Sequence, residues 1–100
     1  MQLTADSEVS KSKLARICRD FHVREMAMFG SVARGDLRPD SDIDIFVEFQ
    51  ADFHPGLQWF DLEEQLESLF GRRVDLGIKK LLRPRVREQA LEEAVLLYAA

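Results

Sequence analysis

The stretch DIDIFVEF, residues 42–49, constrains the fold more than any other part of the chain. Ile43, Ile45, Val47 and Phe49 fall on one side of an extended backbone, with Asp42, Asp44, Phe46 and Glu48 on the other. A period of two marks a strand with one apolar face, and such a face has to be covered by a second layer. The flanking sequence supplies that layer. Leu14, Ile17, Cys18 and Phe21 recur at helical spacing within residues 10–21, with Ser10 as the expected cap. Trp59, Leu62, Leu66, Leu69 and Phe70 form one stripe of a helix over 57–70, which Gly71 is placed to end.

Further strands come from the remaining segments. REMAMFG (24–30) reads as a short strand stopping at glycine, residues 31–34 as a brief helical turn, and GDLRPDS (35–41) as a loop. RVDLGI (73–78) alternates again, with Val74, Leu76 and Ile78 against Arg73, Asp75 and Gly77. Pro84 suits the first turn of a last helix reaching Glu93. AVLLYAA (94–100) fits either a fourth strand or a helical tail. The expectation is an α/β (α+β) fold, a mixed β-sheet of about four strands packed with helices, in a single domain over residues 1–100.

Composition excludes several functions. A formal net charge of −4 is a poor basis for gripping a phosphate backbone, so no stable nucleic-acid binding is expected. No apolar run has the length of a membrane span and the start has no signal-like stretch, which points to a cytoplasmic protein with no membrane partner. Cys18, the one cysteine, lies on an apolar stripe and reads as core. His22 and His54, isolated in turns, read as solvated polar residues, and Glu63, Glu64 and Glu67 as a wet helix face.

The acidic side of the 42–49 strand carries the chemistry. Nine of the hundred residues are Asp, so about one Asp-x-Asp is expected by chance and the pair alone means nothing. Requiring Gly30-Ser31 at a fixed upstream offset multiplies that chance by roughly 0.003. Side chains at i and i+2 of a strand point the same way, with Cα atoms about 6.5–7 Å apart. Two carboxylates so placed can share divalent cations about 3.5–4 Å apart, the arrangement that serves in-line phosphoryl displacement. Mg²⁺ needs only a few carboxylates beside phosphate oxygens and water. Asp75, flanked by apolar Val74 and Leu76, faces away from the core and fits as a third carboxylate. Three clustered carboxylates repel one another without metal, which disfavours a purely structural role. In the Gly-Ser turn, glycine admits close approach of phosphate to backbone, and the turn's N–H groups and the serine hydroxyl are donors to anions. Arg34 and Arg38 flank the intervening loop as candidate phosphate contacts.

FGSVARGDLRPDSDIDIFV resembles the signature of the minimal nucleotidyltransferases, small members of the DNA polymerase β-like superfamily. Their pattern is Gly-Ser, ten residues, Asp-x-Asp, and a third Asp on a later strand, here RVDLG. Val32 is a departure, since relatives commonly carry Arg there. The resemblance implies a small polymerase β-like core that transfers AMP from ATP to a hydroxyl. It implies Asp42 and Asp44 holding two Mg²⁺ ions, Asp75 completing one metal site and helping to activate the acceptor, and Gly30, Ser31 and Arg34 binding the triphosphate. Chains this short are similar to the antitoxin halves of HEPN/MNT toxin–antitoxin pairs, which implies a HEPN-domain toxin as acceptor. Two alternatives stay open: an antitoxin that neutralises its partner by covering it, and an adenylyltransferase of a small hydroxylated molecule.

Overall fold

The computed structural model describes residues 8–35 and 42–100. Its elements run α1 (Glu8–Asp20), β1 (Val23–Phe29), α2 (Gly30–Ala33), β2 (Ile43–Phe49), α3 (Gln58–Phe70), β3 (Val74–Ile78), a 3₁₀ turn (Lys79–Leu81), α4 (Pro84–Glu93) and β4 (Val95–Ala99). The strands form one four-stranded sheet in the order β3-β2-β1-β4. β1 pairs antiparallel with β2 and with β4, whereas β2 and β3 are parallel. Parallel neighbours need a crossover, and α3 provides it. The sheet is therefore mixed, as expected, and residues 94–100 resolve to a strand rather than a helical tail. No helix among the described residues is long and apolar enough to cross a membrane.

The expected periodicities set which face each element covers. α1 and α3 lie on the face of Ile43, Ile45 and Val47, where Leu14, Ile17, Cys18, Leu62, Leu66 and Phe70 complete the main core with Val74 and Leu76. β1 reaches this core with Val23, Met26 and Met28, a spacing of three and then two. The register of β1 against β2 shifts between Val23 and Glu25, which turns Val23 inward despite the odd spacing. Burial of Met26, Ala27 and Met28 in succession reflects coverage on both faces, so weak strand formers are held extended by packing.

The opposite face, which alternation alone marks as polar, is covered locally by α4. Ala90 packs there on Ala27 and Phe46 beside Phe29, Leu82 and Ala94, and Phe46 is only 1% exposed. Lys79 lies over the Phe46 ring at 5.8 Å and donates to Glu25 at 3.1 Å.

Helix boundaries follow local chemistry with one adjustment, at the start of α1. Gly71 ends α3 in the left-handed region at φ 67°, its N–H donating to the Glu67 carbonyl at 2.8 Å, and Pro84 opens α4. Ser10 lies inside α1 rather than at its cap, because the helix already begins at Glu8. Glu67 is no wet residue: its carboxylate accepts the Val74 N–H at 2.9 Å, tying α3 to the start of β3. His22 stacks on Phe53 with ring centroids 4.5 Å apart while staying exposed, as does His54.

Cys18 is fully buried, and burial, opposed by the Arg19 charge, pushes its thiol up to about 12. The thiolate is the reactive form. A disulfide reagent at about pH 8 should therefore leave the native protein unlabelled and modify one thiol per chain only in denaturant. Rapid stoichiometric labelling of native protein would contradict the core position of Cys18.

Candidate active site

The expected site residues come from the ends of three adjoining strands. Phe29, last in β1, pairs with Asp44 near the start of β2, and Asp44 pairs in turn with Asp75 on β3. Register partners share a face, and neighbouring strands lie about 4.8 Å apart, so pairing alone sets the Asp44 and Asp75 carboxylates side by side. The backbone N–H of Ile43 donates to the Arg73 carbonyl at 2.9 Å, securing this end of the parallel pair. Asp42 stands one residue ahead of β2 and is exposed, like Asp75, whereas Asp44 is half-buried.

Gly30 follows Phe29 directly and so meets the same row. Its φ of 77° lies in the left-handed region, which L residues seldom adopt. A Cβ at this position would collide with the Asp44 carboxylate. Glycine is thus required twice over, by conformation and by space. The chain then makes the short turn α2, closed by the Arg34 N–H on the Gly30 carbonyl at 3.1 Å. Ser31 and Arg34 line the cavity that Gly30 and Asp44 also border, about 340 Å³ in volume, with Phe29, Gln89 and Glu93 on its walls. Val32 is 4% exposed and belongs to the main core, so position 32 has an apolar structural role here. Arg38 lies outside the described residues.

Charge in the site is unbalanced. Burial raises the Asp44 carboxyl above the ordinary aspartate range, and the negative charges of Asp75 and Asp42 raise it further; Arg34 opposes them, and Glu93 adds to the rise. Among the described residues no three His, Cys, Asp or Glu side chains are already gathered as a formed metal cage. The donors are nonetheless all carboxylate oxygens, the hard ligands that Mg²⁺ selects, and their mutual repulsion is what a divalent cation relieves. The residues present fit that ion.

Glu93, the last residue of α4, is the part of the site that the sequence did not reveal. Its Oε2 accepts the Gly30 N–H at 3.1 Å, and its Oε1 accepts from Arg34 Nη1 at 2.7 Å and Gln89 Nε2 at 3.3 Å. Burial pushes the Glu93 carboxyl up, but the Arg34 and Gln89 hydrogen bonds, the Arg34 charge and the Gly30 N–H outweigh it and hold it below the ordinary glutamate range. The available signal was a helix end two residues ahead of a strand, which gains meaning only when that strand's partner is known.

Comparison with known proteins places the chain and its fold. The nucleotidyltransferase domain family matches residues 11–97. The chain is similar to the protein adenylyltransferase MntA of Thermococcus cleftensis, 44% identical over 75 residues that span 75% of each protein. A solved minimal nucleotidyltransferase is similar over 95% of both chains, at 38% identity and a TM-score of 0.76. A chain of a toxin–antitoxin complex crystallised with AMP-PNP is similar over 90% of this chain and 73% of its own, at 25% identity and a TM-score of 0.73.

Two stability measurements test the site geometry. The folded Asp44 carboxyl lies above its unfolded value, so ionised Asp44 opposes folding. That cost is absent below the unfolded value and fully present once pH exceeds the folded one. With chelator present, Asp44→Asn should melt above the wild type near pH 7, and the gap should close as pH falls toward about 4. A constant gap, or a less stable variant at neutral pH, would contradict the charge assignment. Gly30→Ala should cost more than about 1 kcal/mol from its backbone conformation alone, and Asp44→Ala in the same chain should recover part of the loss by clearing the collision. Strictly additive losses in denaturant melts would place Gly30 away from Asp44.

Proposed function

Because the chain belongs to the nucleotidyltransferase domain family, we propose that it moves AMP from ATP to a hydroxyl of a HEPN toxin partner, acting in the cytoplasm as the antitoxin of the pair. The observation that carries this reading is the row Gly30, Asp44, Asp75, where a side-chain-free turn meets an adjacent carboxylate pair at one end of the sheet. Similarity to a protein adenylyltransferase supports the reaction, and similarity to a toxin–antitoxin chain crystallised with AMP-PNP supports the nucleotide and the class of partner.

In this reading Asp42, Asp44 and Asp75 would hold two Mg²⁺ ions. Bound there, the cations would offset charge on the phosphates and ease loss of the acceptor's proton. The chain's own residues bind and orient. Gly30 leaves room for the triphosphate to approach backbone, the Ser31 hydroxyl donates to a phosphate oxygen, and Arg34 adds a fixed positive charge. Held in that way, the α-phosphorus can be attacked from one side while pyrophosphate departs on the other. The acceptor oxygen forms the new bond to the α-phosphorus, the bond from that phosphorus to pyrophosphate breaks with its electron pair leaving on pyrophosphate, and the hydroxyl proton passes to the Asp75 carboxylate and on to solvent. Asp75 stands on β3, an outer strand, and is exposed. It therefore faces the side from which a protein hydroxyl can arrive.

The test uses the purified protein, ATP, Mg²⁺ and the cognate HEPN partner. Intact-mass measurement should find the partner heavier by whole AMP residues, with one pyrophosphate released per transfer. Asp75→Asn should slow transfer by about a hundredfold, the scale set by a misplaced reacting group, while keeping much of the ATP affinity. No added mass, together with full neutralisation of the partner by the Asp42→Asn/Asp44→Asn protein, would make this a covering antitoxin instead of an enzyme.

A further inference from the structure

Glu93 occupies two donors beside the expected triphosphate seat, the Gly30 N–H and one arm of Arg34. A carboxylate there could be a competitor that swings out or a brace that stays. The hydrogen bonds and the backbone behind them favour the brace. Met28 of β1 pairs with Val95 of β4. Two residues beyond Met28 is Gly30, and two before Val95 is Glu93, so the same antiparallel register carries the pair past the end of the ladder. The backbone at Glu93 is thus pinned by β4, and the carboxylate is tied at both oxygens, with Gln89 as a third donor. Turning the side chain aside would leave β4 paired but would break all three of these hydrogen bonds, taking its acceptor from the Gly30 N–H and from one arm of Arg34.

Donor capacity points the same way. A guanidinium has five N–H donors in a rigid fork, and the single contact through Nη1 leaves most of them for a phosphate. The Arg34 side chain is 52% exposed while that of Glu93 is 18% exposed, so the carboxylate sits behind the arginine rather than in front of it. Without this partner Arg34 would recover its rotamer freedom and be drawn toward the carboxylate of Asp44, which borders the same cavity.

On the basis of the function proposed above, we propose that Glu93 is a positioning residue of the nucleotide site: its carboxylate holds the Gly30 turn and Arg34 in the pose that receives the triphosphate. It acts through those groups and touches no reacting atom.

The experiment is calorimetric titration of the full chain with Mg²⁺ and AMP-PNP, joined to steady-state kinetics with ATP and the HEPN partner. Glu93→Ala should weaken AMP-PNP binding by about tenfold, which is about 1.4 kcal/mol, and raise KM for ATP by a similar factor while kcat stays within about twofold. Glu93→Gln, which keeps an acceptor, should lie between it and the wild type. In an Arg34→Ala background, Glu93→Ala should lose most of its effect, an outcome that a merely structural role would not give. If the alanine variant does not fold, Glu93→Asp carries the test, because it keeps the charge but withdraws the carboxylate, and it too should weaken binding. Tighter binding in these variants would make Glu93 a competitor and overturn the proposal, as would unchanged binding or losses additive with Arg34→Ala. A wild-type chain that binds no AMP-PNP would overturn the functional reading and this one with it; binding indifferent to Glu93 would overturn this one alone.

Discussion

The site depends on β2 holding two registers at once, antiparallel with β1 and parallel with β3. The first brings the end of β1, and hence Gly30, against Asp44; the second sets Asp75 beside it. A one-residue slip in either ladder would turn the slipped side chains to the other face. Asp44 would then enter the apolar layer under α1 and α3, where an unpaired carboxylate is expensive to bury. Ile43, Ile45 and Val47, each fully buried in that layer, lock the register. The core and the acidic face are therefore two readings of one alternation, since the residues between the carboxylates fix where the carboxylates point.

Much of this was legible in the sequence because periodicity is a local signal. DIDIFVEF, the stripe from Trp59 to Phe70 and the Val74-Leu76-Ile78 alternation each declared element and face without reference to partners, and each matches the structure. The polymerase β-like resemblance carried the mixed character of the sheet, which no local pattern encodes, while the strand order β3-β2-β1-β4 came from the structure alone. Three features escaped for a shared reason. Phe46 alternates onto the acidic side and yet is buried, because α4 crosses that face and seats Ala90 on it. Glu67 read as solvent-facing and instead closes on the Val74 N–H across the α3–β3 turn. Glu93 ends a helix followed by a segment whose sequence fits strand and helix alike. Each depends on a contact between segments remote in sequence or on the path of a turn.

The charge distribution explains why the scaffold is built so heavily on its other side. Burial, together with the negative charges of Asp75, Asp42 and Glu93 and against the charge of Arg34, leaves Asp44 harder to ionise than a free aspartate. Such a cluster works against folding, and a left-handed Gly30 pressed onto Asp44 adds a local constraint. The apolar layer under α1 and α3, with Met26, Ile43, Ile45, Leu62 and Leu66 all fully buried, compensates for both. The apolar core and the acidic cluster are thus divided between the faces of one sheet.

That division also accounts for β4. A three-stranded sheet would suffice to align Gly30, Asp44 and Asp75, since β1, β2 and β3 contain or adjoin all three. β4 adds little core: Val95 and Leu96 are largely exposed, and only Leu97 and Tyr98 reach the main cluster. What it does supply is a fixed backbone on the far side of β1, in register with the residue two before Gly30. Through it α4 is returned to the same end of the sheet as the carboxylates, with its last side chain on the Gly-Ser turn. The outer strand on one side presents Asp75, the outer strand on the other delivers Glu93, and β1 and β2 hold the turn and Asp44 between them. Every strand of the sheet is then accounted for by a group at one end of it.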